Sequence, residues 1–355
     1  VSSPRVKIVG TGLLGTSLGL ALARQGVQAR LSDQSKANLR LAIEYGAGIE
    51  SSEEPDLVVV CVPPDLTAEV VARELTLHPS AYVTDVASVK AKIARDLEQL
   101  APGETRRYVG SHPMAGREKG GPGAARADLF FARPWVICVE PTSDVAAVEL
   151  VRDIALRVGA LPVEQTALEH DAAVALVSHL PQLVASLLAA RLVGGSPEQL
   201  SLAGQGLRDT ARIAASDAEL WMQIIAQNSE AIAPLLASLG EDLDKLASAI
   251  SQIDSSGSLA VVHAALAAGN LGVARIPGKH GGKSASYHTV TAVIEDAPGA
   301  LAALLTFIGE IGVNLEDLKV EHSPGAPIGL VELQVLPENA SHLSQQLTDN
   351  GWRLV

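Results

Sequence analysis

The six residues Gly10-Thr11-Gly12-Leu13-Leu14-Gly15 constrain this chain more than any other feature, because they join an apolar run, Arg5–Val9, to a helical pattern over Leu13–Gln25. Between a buried strand and a helix, Gly10 permits the tight turn and Gly12 lets a pyrophosphate approach the backbone. Gly15 lets helix and strand pack closely. The first helical turn, at Leu13 and Leu14, offers unpaired N–H groups and partial positive charge to a phosphate. A second run, Val27–Leu31, leads to Asp33, eighteen positions past Gly15 and placed to accept ribose hydroxyls. A 2′-phosphate would meet that carboxylate as a like charge, so the motif points to NAD rather than NADP, although Lys36 lies nearby. Val62-Pro63-Pro64 closes the third run, either as an apolar wall beside the adenosine or as an ordinary strand stop.

The rest of residues 1–165 repeats this alternation. Leu57–Val62, Tyr82–Asp85, Tyr108–Ser111 and Trp135–Val139 read as strands, several of them apolar throughout, as parallel strands covered on both faces should be. A doubly wound α/β domain of Rossmann type is expected. From 166 to 275 the strand signal vanishes. Asp171–Val193 is apolar around most of its circumference, and helical patterns follow over Leu220–Leu239 and Glu241–Leu266. Such helices must pack on the first domain, on a second copy of the chain, or on both; a homodimer through this all-α domain is expected. Residues 276–286 have the Gly, Ser and Lys content of a linker. Residues 287–355 read strand, helix, strand, strand, helix, strand, a ferredoxin-like βαββαβ module with strands Thr289–Ile294, Asn314–Glu321, Ile328–Val335 and Trp352–Val355.

Polar residues collect where parallel strands end, the usual place for ligands in such sheets. Ser88, in Asp85-Val86-Ala87-Ser88-Val89-Lys90, can cap a helix Val89–Leu100 or turn its hydroxyl toward the nicotinamide and an imidazole. His112 ends a strand and precedes Pro113. His179 precedes Leu180-Pro181, and that proline should kink its helix near Val177, freeing backbone groups that need a polar pocket. Arg208 and Arg212, four apart on a helix, either form a paired carboxylate-binding face or a solvated face paired with Asp209 and Asp217.

Taken together, Ser111–Gly116 (SHPMAG), Ser178–Pro181 (SHLP) and Arg208–Ala214 (RDTARIA) behind the glycine turn resemble the prephenate/arogenate dehydrogenase family of tyrosine biosynthesis, over Lys7 to Gln227. The resemblance implies NAD-dependent oxidative decarboxylation of prephenate to 4-hydroxyphenylpyruvate. His112 is then the catalytic base, and Ser88 holds that histidine and the substrate hydroxyl. His179 reaches the substrate side chain and Arg212 binds a carboxylate, with Arg208 and Trp221 bordering the pocket. Glu118 matches a gating glutamate; Arg117 stands where the family often carries a small hydroxyl residue. The C-terminal module resembles an ACT domain through Asp296–Leu301 (DAPGAL) and Gly312–Leu315 (GVNL). That likeness implies feedback by tyrosine at Pro298, Gly299, Ala300, Leu301 and Asn314.

Composition excludes other classes. With 27 Lys and Arg against 40 Asp and Glu, the net charge of −13 disfavours nucleic acid or an anionic membrane as partner. Cys61 and Cys138 sit in apolar runs with neither metal-ligand spacing nor a disulfide framework, so no metal is expected. With no signal-peptide pattern at the N-terminus, a cytoplasmic protein is expected. A β-hydroxyacid dehydrogenase would usually need a lysine in the long helix, and Asp171–Val193 has none. An arogenate dehydrogenase, or a non-catalytic sensor of NAD and an amino acid, remains open at this level. For a histidine base, the pH profile should break near that residue's ordinary pKa.

Overall fold

The computed structural model of the chain describes residues 3–116, 119–277, 287–322 and 328–355, which form two compact units, residues 1–239 and 240–355. In the first unit, β1 (Val6–Val9), β2 (Arg30–Ser32), β3 (Leu57–Val60), β4 (Tyr82–Asp85), β5 (Tyr108–Pro113), β6 (Pro134–Cys138) and β7 (Leu161–Gln165) form one sheet. Its order is β2-β1-β3-β4-β5-β6-β7. The strand order reverses between β1 and β3, which opens a crevice at their carboxyl ends. All four residues of β3 are buried because the strand is covered on both faces. Leu57 and Val59 join the core around the Leu13–Arg24 helix, and Val58 and Val60 join the core on the opposite face.

Three expectations about this sheet need correction. The sheet is not wholly parallel, since β5 pairs antiparallel with β6. The second strand starts at Arg30 rather than Val27. β7 was not anticipated: Leu-Pro-Val-Glu-Gln contains a proline and lies largely exposed at the sheet edge, so it lacks the apolar pattern of an interior strand.

The helical segment opens with Ala167–Val174, passes through a π-helical turn, Ala175–His179, and resumes as Leu180–Arg191. The expected kink at Val177 is therefore a π turn. Pro181 brings no N–H to the carbonyl of Val177, and widening one turn accommodates the ring. Over residues 167–194 the chain is long and apolar enough to cross a membrane, yet it buries Asp171, His170 and His179. Leu176, Val177 and Leu187 on it are exposed. The later helices run Ala218–Gln227, Ser229–Ser251 and Ser258–Val273, so the break expected at Gly240 is absent. One glycine costs a helix only about 1 kcal/mol.

In the second unit, β8 (His288–Glu295), β9 (Asp317–His322), β10 (Ile328–Val335) and β11 (Arg353–Leu354) form an antiparallel sheet ordered β11-β8-β10-β9. The helices Ala300–Glu310 and Pro337–Asp349 close its hydrophobic core. β9 begins at Asp317, three residues later than expected, and most of the expected linker lies outside the described residues.

The ends of β4 and β5 are fixed by a buried ion pair. Lys90, 1% exposed, reaches Asp85, which is fully buried, and donates a further 2.9 Å hydrogen bond to the Ser111 carbonyl. The Tyr108 hydroxyl donates to the second Asp85 oxygen at 2.6 Å, and the Ala87 N–H donates to the first at 2.8 Å. Removing one partner of a buried pair strands the other's charge, so Lys90→Met should cost about 3–5 kcal/mol. A urea unfolding midpoint equal to that of the wild type would show that the pair does not hold this region.

Candidate active site

The crevice between β1 and β3 is a cleft of about 560 Å³ whose lining includes Gly10, Gly12, Asp33, Val62 and Pro63. Gly10 adopts φ +99°, a left-handed conformation, and any Cβ there would collide with the Cys61 carbonyl. At Gly15 a Cβ would run into the carbonyl of Gly10, whereas Gly12 faces open space. Gly12 is also the N-cap of the Leu13–Arg24 helix and brings no side-chain cap to it. A dinucleotide phosphate fits this cradle, with free helix N–H groups beside a position where the backbone is bare. Leu14, partly buried, packs on the core beneath. Asp33 is oriented by the Thr11 N–H at 2.6 Å, the Thr11 hydroxyl at 2.7 Å and the Ser35 N–H at 2.7 Å.

At the end of β5, Ser111 and His112 point to opposite sides, as strand neighbours do, with Ser111 buried and His112 partly so. The Ser111 hydroxyl donates to the Asp85 carbonyl at 2.8 Å and is therefore structural. His112 Nδ1 lies 2.8 Å from His170 Nε2, and the rings meet edge to face with centroids 5.0 Å apart. His170 Nδ1 is in turn 2.8 Å from Asp171 Oδ1. Asp171 also accepts the Lys90 and Ala91 backbone N–H groups, each at 2.8 Å. The helix expected at Val89–Leu100 thus begins at Ala91, and a carboxylate from the helical segment meets its amino end. Ser88 caps nothing; it lies partly buried in the preceding loop, and among the described residues no hydrogen bond holds its hydroxyl. The partner of the His112 ring is His170 rather than the expected Ser88.

His179, 1% exposed, sits at the end of the π turn. Its Nδ1 is 3.1 Å from Asn228 Nδ2, which also donates to the Asp171 carbonyl at 2.9 Å, and its ring meets Trp221 edge to face at 5.8 Å. His112, His179 and Trp221 therefore belong to one run of contacts that passes through His170, Asp171 and Asn228, three residues the sequence analysis did not select. The visible signal for two of them was a His-Asp pair opening an otherwise apolar helix. Asn228, in the short connection between two helices, left no pattern.

Arg208 and Arg212 do not share one continuous α-helix. The helix Gln205–Ala211 ends before Arg212, which opens a 3₁₀ turn, Arg212–Ala215, packed against the Leu180–Arg191 helix. Both arginines are exposed. Asp217, a possible partner, instead caps the Ala218–Gln227 helix through the Glu219 N–H at 2.9 Å. Arg117 and Glu118 lie outside the described residues. In the second unit, Gly299 is the N-cap of Ala300–Glu310 with φ +91°, and Asn314 donates to Glu316 at 3.0 Å. Ala300 and Leu301 border the core there. Among the described residues no cluster of three His, Cys, Asp or Glu is able to hold a metal.

The electrostatics separate these imidazoles from ordinary histidines. Burial pushes the pKa of His112 well below 6.5, and the neighbouring His170, the Lys90 ammonium and His179 each disfavour a further positive charge there. This corrects the expectation of an ordinary histidine value. Burial likewise lowers His179 to about 4, opposed in part by Asp171. Both folded-state values lie below that of the unfolded chain. The unfolded chain therefore binds more protons between pH 6.5 and about 4, and stability present above that window is lost as pH falls through it. Urea midpoints at about pH 7.5 and about pH 5 should differ for the wild type, and by less for His179→Asn. Equal slopes in the two proteins would remove His179 from the effect.

The sheet, the glycine cradle and the carboxylate beside it define an NAD-dependent oxidoreductase of the Rossmann class, followed by a helical domain. The family models for the prephenate dehydrogenase nucleotide-binding domain and dimerization domain match residues 18–164 and 166–262. A Streptomyces niveus protein known as a probable prephenate dehydrogenase is 35% identical over 97% of this chain and 98% of its own. The crystal structure of prephenate dehydrogenase from A. aeolicus, in complex with hydroxyphenyl propionate and NAD+, is 27% identical. It matches with TM-score 0.66 over 77% of this chain and 99% of its own. The Synechocystis arogenate dehydrogenase structure is also 27% identical, with TM-score 0.62 over 75% and 99%. The chain belongs to the prephenate dehydrogenase family.

Proposed function

We propose that this protein oxidatively decarboxylates prephenate to 4-hydroxyphenylpyruvate, with His112 as the base. One observation carries the assignment: the strand-end imidazole is anchored through Nδ1 and has its pKa depressed, in a chain with a dinucleotide cradle at the neighbouring strand ends. NAD, when bound, supplies the acceptor for the hydride that leaves the carbinol carbon. His112 Nε2 takes the proton of the ring hydroxyl in that step. The electron pair of the C–CO₂⁻ bond then flows into the ring and onto the oxygen, CO₂ departs, and His112 returns the proton. Substrate and NAD+ thus give the hydroxyphenyl product, CO₂ and NADH, and aromatisation makes the sequence effectively irreversible.

The remaining roles follow the family resemblance. Ser88 offers its hydroxyl to the substrate alcohol. His179 meets the substrate side chain beside Trp221, and Arg212, with Arg208 nearby, holds a carboxylate; by the same resemblance Glu118 takes the family's gating role, and Arg117 replaces the small hydroxyl residue before it. Gly10, Gly12 and Gly15, with the N–H groups of Leu13 and Leu14, hold the dinucleotide phosphates, while Asp33, Val62 and Pro63 hold the adenosine. Arogenate is the second reading, favoured by the similarity to the Synechocystis arogenate dehydrogenase.

The antiparallel C-terminal module is proposed to be an ACT domain that binds tyrosine at Pro298–Leu301 and Asn314. Its support is Gly299, which starts a helix at φ +91° with no side chain to cap it, so that a ligand carboxylate can approach the backbone there. Homodimerisation through the helical domain is supported by the exposed Leu176, Val177, Leu187 and Leu188. A cytoplasmic setting accords with two free cysteines, Cys61 and Cys138.

A positioned base contributes about 10²–10⁴-fold, so His112→Asn should lower kcat by that factor without weakening NAD binding. In the wild type the acid limb of kcat/KM should lie below pH 6.5, because a depressed pKa keeps the base unprotonated there. Near-normal turnover by the variant would remove His112 from the mechanism. Separately, tyrosine added to the full chain should raise KM or lower kcat, and the response should vanish on Asn314→Ala. Kinetics indifferent to tyrosine would leave the module without this role.

A further inference from the structure

Asp171 touches neither proposed substrate nor cofactor, yet both site imidazoles trace back to it. Its carboxylate accepts backbone N–H groups from Lys90 and Ala91 and faces His170 Nδ1 at 2.8 Å, so the proton of that contact sits on His170. A ring bearing one proton presents its other nitrogen as an acceptor. His170 Nε2 therefore accepts, and His112 Nδ1, 2.8 Å away, donates. His112 is left with its lone pair on Nε2. The backbone carbonyl of Asp171 can only accept, which turns the amide nitrogen of Asn228 toward it at 2.9 Å. The second proton of that nitrogen points to His179 Nδ1 at 3.1 Å, and His179 is left with its proton on Nε2. These groups are enclosed: His170 is fully buried, with Asp171 and Asn228 each 4% exposed. Water does not compete for the contacts.

We propose that Asp171 is a positioning residue that sets opposite tautomers on the two imidazoles, through its carboxylate and His170 on one side and its carbonyl and Asn228 on the other. His112 then offers Nε2 as a proton acceptor, and His179 offers Nε2–H as a donor suited to a keto or carboxylate oxygen. A histidine that presents the wrong nitrogen loses on the order of 10²–10⁴-fold as a base. The inference rests on His112 being the base for its kinetic consequence, but not for the tautomers themselves.

The decisive measurement is a long-range ¹H–¹⁵N correlation spectrum of the full chain labelled with ¹⁵N-histidine, with neither substrate nor cofactor added. His112 and His179 signals are assigned by their loss in His112→Asn and His179→Asn. The wild type should show His112 protonated on Nδ1 and His179 protonated on Nε2. Either ring found as the other tautomer overturns the proposal, whatever reaction the enzyme performs. Among variants, His170→Leu should scramble the His112 tautomer and lower kcat at least about tenfold with KM changed less than about twofold. His170→Gln, whose carbonyl can accept from His112 Nδ1, should restore both. A His112 spectrum unchanged in His170→Leu would also sink the relay, and a variant that does not fold leaves the wild-type spectrum to decide. Loss of activity with the expected tautomers intact would instead point to a failure of the proposed function.

Discussion

The candidate site depends on a carboxylate that is shared between two pieces of chain. Asp171 belongs to the helical segment, but its oxygens terminate the amino end of the helix that follows β4. Those contacts join the sheet to the helices beside the strand that carries His112. Three acceptor contacts leave the carboxylate little freedom, and its burial makes each one costly to lose. The His112 and His179 rings inherit their orientation from it.

A second buried charge organises the layer below. Lys90 and Asp85 neutralise one another between β4 and β5, and the Lys90 backbone N–H reaches Asp171 while its ammonium reaches Asp85 and the Ser111 carbonyl. One residue therefore links the two networks. Burial is the main cause of the depressed His112 pKa, and the Lys90 charge adds to it. A neutral strand-end imidazole, a dinucleotide cradle and a helical wall together suit removal of a proton and a hydride from an alcohol.

Much of this was legible before any coordinates. Gly10, Gly12, Gly15 and Asp33 act locally, within one strand–turn–helix unit, so their spacing alone reported the cleft. Pro181 likewise announced an interruption in its helix, because a missing N–H is a covalent fact; that the interruption is a π turn depended on packing. The reading of Arg208 and Arg212 as one helical face failed because the helix ends at Ala211, in a stretch where propensity alone gives no stop.

What the sequence determined by itself was the alternation of strands and helices through β6, the phosphate turn and the histidine-bearing motifs, since each is set by side chains within a few residues of one another. What only the tertiary structure decided was which groups meet: His112 with His170, Asp171 with the helix from Ala91, and Asn228 with His179. These partners lie 49 to 81 positions apart. Hydrogen-bond complementarity across such separations leaves no periodic trace in the chain, because it depends on where folding brings the backbone and not on any local pattern.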